Sequence, residues 1–162
     1  MRVERVLDRV DRVAEWLIAA LFAVMVVVGF LQIANRFVLN ISLSWSEELQ
    51  RYLHIWIVFL AIPVGYGRGA HLGMNMLLER LPRRPHAALV TLQEILWLVL
   101  ATSIAWFATR IMDVAQNQSS STLGITMDRI YLAQVVGGIY LALVAARRLV
   151  TRLTPWRLIK LK

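Results

Sequence analysis

The chain has 162 residues, 59% of them hydrophobic, and a formal net charge of +8. Soluble globular chains hold about 45–50% apolar residues, and here the excess is gathered into long blocks, not spread at the spacing of a surface helix. The arginines sit between those blocks with no interleaved base-stacking aromatics, which argues against nucleic acid as a partner, and the absence of cysteine removes disulfide frameworks, thiolate metal sites and haem attachment. His54, His71 and His86 are too scattered to pair on a haem. Nothing resembles an enzyme active site, so no catalytic residue, metal or cofactor is expected in this chain.

In chain order, residues 1–15 place Val3, Val6, Val10, Val13 and Leu17 at alternating steps of three and four, among Arg2, Arg5, Arg9 and Arg12. That is an amphipathic helix, able to lie on anionic membrane lipids or to dock against a partner helix. Residues 16–36 form the first expected span. Its charge-free stretch, 16–35, crosses a hydrocarbon core of about 30 Å at about 1.5 Å per residue. A signal peptide is the rival, but its apolar region is usually only about 7–15 residues long.

The second span, 44–67, has a polar lead-in. Ser44-Trp45-Ser46-Glu47 reads as a capping box, Ser44 and Glu47 each meeting the other's amide. The helix then enters the bilayer past Glu48, Arg51 and Tyr52, and Pro63 removes a bond to the Phe59 carbonyl, so a kink is expected. The third span, 87–109, holds one ionisable residue, Glu94. The fourth, 129–147, precedes a basic tail at 148–162. The expected fold is an all-α integral membrane protein of four transmembrane helices, since helices satisfy their own backbone in lipid.

Fourteen of the eighteen basic residues lie before the first span, between the second and third, or after the fourth. The positive-inside rule puts those segments, and both termini, in the cytoplasm. Residues 117–122 (NQSSST) are then an outer loop.

Several features invite a functional reading. Gln134, Gly138, Ala142 and Ala146 share one face of the fourth span, and Ala87, Thr91, Glu94, Leu98, Thr102, Ala105 and Thr109 share one of the third. Small residues let helices approach closely in lipid, either inside this chain or against another polypeptide. A carboxylate in mid-bilayer costs on the order of 3 kcal/mol, so Glu94 is either a structural interhelical partner or the site of a proton-coupled carrier. His54 has no second ligand three or four residues away, which suits hydrogen-bonded structure. Trp45, Trp56, Trp97, Trp106 and Trp156 are mostly explained as interfacial belt and lipid-facing surface.

Residues 44–82 carry a recognisable pattern. Trp45, Ser46, Glu47, Glu48 and Arg51 precede the second span, and Arg68, Gly69, Ala70 and His71 follow it, with Asn75 where an acid is common. In this the chain resembles the small membrane subunit of the tripartite ATP-independent periplasmic (TRAP) transporters. The resemblance implies a bacterial inner-membrane scaffold that braces a large membrane transport subunit and helps dock a periplasmic substrate-binding protein. Sodium, and an organic acid (a carboxylate or sialic-acid-like compound), would be handled by those partners. Trp45, Glu47, Glu48, Arg51, His54, Arg68, His71, Asn75, Glu94, Gly138 and Ala142 are the candidate interface or loop-fixing residues. The competing expectation is a self-sufficient, proton-coupled homo-oligomeric transporter working through Glu94.

Overall fold

A computed structural model describes residues 2–40, 43–69 and 82–153, all but a few turns of it helical. His71, Asn75 and Trp156 lie outside the described residues. Helix α1 runs Arg2–Ala34 and passes into a π-helical stretch, Asn35–Leu39. That stretch is closed by Asn40 in the left-handed conformation, which asparagine tolerates at a helix end. Helices α2 (Ser44–Gly67), α3 (Arg83–Ala115) and α4 (Asp128–Leu153) follow.

Among the described residues, three segments are long and apolar enough to cross a membrane: Asp8–Leu39, Pro85–Ala115 and Asp128–Arg152. α2 is not among them, because its first two turns hold Glu47, Glu48, Gln50 and Arg51. The amphipathic segment and the first apolar block are one unbroken helix, and that helix turns its faces opposite to the soluble pattern. Ala14 is buried, whereas Val10, Val13 and Leu17 of the valine seam are exposed.

α4 is the centre of the assembly. It packs along α3 and α2, while α1 lies on α2 and reaches α4 through its first turns. The core joins all four helices: Ala14, Tyr66 and Ala101 meet Tyr140, Leu141, Val144 and Ala145. Two consecutive glycines let α4 sit there. A Cβ on Gly137 would come within 2.5 Å of the Phe59 carbonyl oxygen, and one on Gly138 within 2.9 Å of the Ala105 amide nitrogen. Gly137 therefore meets α2 and Gly138 meets α3. Phe59 is also the carbonyl that Pro63 deprives of its helical donor, so the α2 backbone is open where α4 presses on it. α2 remains helical through Pro63.

The expected capping box is not formed. Ser44 is the first helical residue and α2 has no side-chain cap. Instead Ser46, fully buried, donates from its hydroxyl to the Leu43 carbonyl at 2.7 Å. Glu47 is engaged elsewhere, accepting from Gln32 of α1 at 3.4 Å, and Gln50 donates to Gln32 at 2.9 Å. The chain thus uses its polar lead-in to pin α2 to α1.

Candidate functional site

The termini of the helices gather charge at one end of the bundle. There Glu94 of α3, 2% exposed, lies between α2 and α4. Its Oε2 accepts the Tyr66 hydroxyl of α2. Its Oε1 lies 3.3 Å from Arg148 Nε and 3.8 Å from Arg152 Nε, both on α4. Arg148 also donates to the Tyr66 main-chain carbonyl and stacks over the Tyr66 ring at 4.7 Å. Trp97 covers the same ring, centroid to centroid 4.9 Å. One carboxylate, one guanidinium and one phenol thereby tie three helices together. A carboxylate removed from water is sustained only by such pairing, and both of its oxygens are occupied.

Around this clamp runs a looser ring. Arg68 of α2 pairs with Glu15 of α1, Tyr140 donates to Asp11, and Arg147 lies 3.5 Å from Asp8. The acidic stripe of α1 (Asp8, Asp11, Glu15) is thus drawn onto the basic ends of α2 and α4. This is why the valine seam faces outward. A cavity of about 460 Å³ lies among Asp8, Asp11, Arg68, Arg147 and Arg152.

The opposite end is organised by Glu48. Its Oε1 accepts the Tyr52 hydroxyl at 2.7 Å, and its Oε2 accepts the amides of Thr122 and Leu123 at 3.1 and 3.0 Å. In this lead-in, ahead of the apolar block, the Tyr52 hydroxyl foremost and then the two amides hold the Glu48 carboxyl below the usual carboxylate range, against some desolvation. The loop so anchored folds on itself, Ser120 bonding Ile125 and Met127 bonding Gln118, with Gly124 at positive φ. Trp45, Glu47 and Arg51 remain exposed beside it.

The structure therefore divides the candidate residues. Trp45, Glu47, Glu48 and Arg51 share the loop end, whereas Arg68 and Glu94 belong to the charged end and Gly138 to the centre. His54 is exposed on α2, a turn beyond Arg51. Ala142 packs against the core from α4. The small-residue line of α3 divides between a buried face and an exposed one. The buried line is Val90, Glu94, Ala101, Ala108 and Ala115, while Thr91, Thr102 and Thr109 return their hydroxyls to carbonyls of their own helix. Trp97 is half-buried against Tyr66 and is not a belt residue. Tyr66, Arg148 and Gly137 were not singled out by the sequence; the Gly137-Gly138 pair was the one visible signal. Among the described residues, no group of three or more His, Asp or Glu is placed to hold a metal ion.

Comparison with known proteins agrees with this architecture. A small permease of a TRAP transporter is the name carried by a Haemophilus influenzae protein 25% identical over 142 residues, 88% of each chain. The sialic acid TRAP transporter small permease protein SiaQ of Vibrio cholerae is 26% identical over 132 residues, 82% of this chain and 76% of that one. The isethionate TRAP transporter permease protein DctMQ of Oleidesulfovibrio alaskensis is 27% identical over 107 residues, which make up 65% of this chain but 16% of that protein. Residues 25–154 match the family model described as "Tripartite ATP-independent periplasmic transporters, DctQ component". A match over that length, by a helical chain whose ends are clamped as described, makes this protein a member of the DctQ family of TRAP transporter small permease components.

Proposed function

We propose that the chain is the bracing subunit of a sodium-coupled, binding-protein-dependent transporter that takes up an organic acid across the bacterial inner membrane. It crosses the membrane four times with both termini in the cytoplasm, α2 being the second of the four spans. The large membrane subunit moves substrate and sodium. The loop end of this chain, with Trp45, Glu47, Arg51 and the loop fixed by Glu48, lies in the periplasm and adds to the surface on which the binding protein docks. The organic-acid class is supported by the names of two relatives, one called a component of a sialic acid transporter and the other of an isethionate transporter.

One observation carries the reading. Glu94, the single acid of the third apolar block, is spent on holding α2, α3 and α4 together. A carrier needs a midplane site that binds and alternates; a clamp with both oxygens occupied supports rigidity instead. Purification of the tagged chain from its native membranes tests this. A large membrane protein should accompany it in equal amount. A homodimer without such a partner would favour the proton-coupled transporter.

A further inference from the structure

The outward side of α4 is a ridge between two apolar grooves. The first, about 580 Å³, separates α1 from α4 and is lined by Val10, Val13, Leu17, Val136 and Tyr140. The second, about 590 Å³, separates α3 from α4 and is lined by Thr102, Ala105, Thr109, Val135 and Ala142. Ile139 and Leu143 border both. Three helices thus present one corrugated face, with Ile139 and Leu143 on its crest.

Two features distinguish this face from a surface made for acyl chains. Val10 and Val13 are 41% and 59% exposed at the level of the Asp8–Arg147 and Arg68–Glu15 pairs. At a charged helix end a bilayer offers headgroups and water, so an outward valine seam there is covered by protein more favourably than by lipid. On α3, moreover, the residues away from the groove are bulky (Leu92, Leu96, Val99, Phe107) and exposed, as lipid-facing positions are. The groove side sets Thr102, Ala105 and Thr109 between Leu98 and Trp106, and two of its threonine hydroxyls are satisfied by their own helix. Such a channel admits a helix backbone closely.

The relatives indicate what fills it. In the isethionate permease the matching segment is 16% of one polypeptide, so a unit like this chain is held permanently beside a much larger membrane-transport sequence. We propose that the face formed by α1, α4 and α3 is the seat of the large membrane subunit, whose transmembrane helices enter the two grooves on either side of Ile139 and Leu143. This rests on the bracing-subunit reading and adds to it the face involved.

The chain has no cysteine, so single-cysteine variants report one position each. Ile139→Cys, Val13→Cys and Leu96→Cys are all at exposed sites and are labelled with a membrane-permeant maleimide, first in the chain alone and then in the complex with the large subunit. Packed protein excludes such a probe, so labelling of Ile139→Cys and Val13→Cys should slow by about tenfold or more in the complex, with Leu96→Cys unchanged. A complex that forms yet labels Ile139→Cys and Val13→Cys at the rates of the chain alone overturns the placement and leaves the partnership standing. Slow labelling of both before the large subunit is added assigns the face to a second copy of this chain and also overturns the placement. A chain that never co-purifies with a large subunit overturns the partnership and the placement together.

Discussion

α1 and α4 invert the rule learned from soluble proteins. The most apolar stretch of the first helix has a mean hydropathy of 2.7 and 6% of its residues buried; that of α4 has a mean hydropathy of 1.6 and 44% of its residues buried. Hydrophobicity here measures contact with lipid, not with the core. Phe30, Phe37 and Trp16 stand 70%, 78% and 73% exposed on the outer helix. The central helix carries Gly137, Gly138, Ala133 and Ala145 at its tightest contacts, because no hydrophobic drive holds helices together in lipid and close packing must do so. What the inner helix needs is shape and pairing; what the outer helix needs is solubility in hydrocarbon.

That contrast is most easily broken at Gly137. Gly137→Ala puts a methyl 2.5 Å from a backbone oxygen that cannot rotate away, and overpacking of this kind costs about 3 kcal/mol. The variant should melt well below the parent in detergent; an unchanged melting temperature would mean α2 and α4 are not in this contact. Next comes the clamp. Arg148→Ala leaves Glu94 buried with Arg152 at 3.8 Å and Tyr66 as partners, a loss of about 3 kcal/mol. Glu94→Gln should cost only about 1 kcal/mol, since Arg148 keeps the Tyr66 carbonyl and ring and its side chain is 29% exposed. Denaturation of the two variants side by side checks the order; equal losses would remove the asymmetry. The smallest effect belongs to α1. Phe30→Ala, at a lipid-facing position, should shift stability by no more than about 0.5 kcal/mol, and a larger loss in the isolated chain would show that the outer face is packed.

The sequence made the helices legible because a bilayer imposes length and continuity on them. The charge clusters marked the ends for the same reason. The pairings were hidden. Glu94 was visibly in need of a partner, but Arg148 lies in the expected basic tail, among arginines that positive-inside anchoring already explained. The α3 stripe left open whether its partner lay inside this chain or in another polypeptide; Glu94 faces α2 and α4, whereas Thr102 and Thr109 are exposed and return their hydroxyls to carbonyls of their own helix. Periodicity alone leaves the seam of α1 open to anionic lipid or to a partner helix. Its acidic stripe decides the matter, by matching Arg147, Arg68 and Tyr140. The Trp45-to-Arg51 motif was recognisable, yet only geometry separates Glu48, which holds a loop, from its exposed neighbours Trp45, Glu47 and Arg51.

The claim that this bundle braces a carrier and does not itself carry is tested most directly by flux. Liposomes containing only this chain should show no sodium- or proton-driven uptake of organic acids. Adding the large membrane subunit and a substrate-loaded binding protein should produce uptake. Gradient-driven flux by the chain alone, abolished by Glu94→Gln, would contradict the account and make Glu94 the centre of a transporter in its own right.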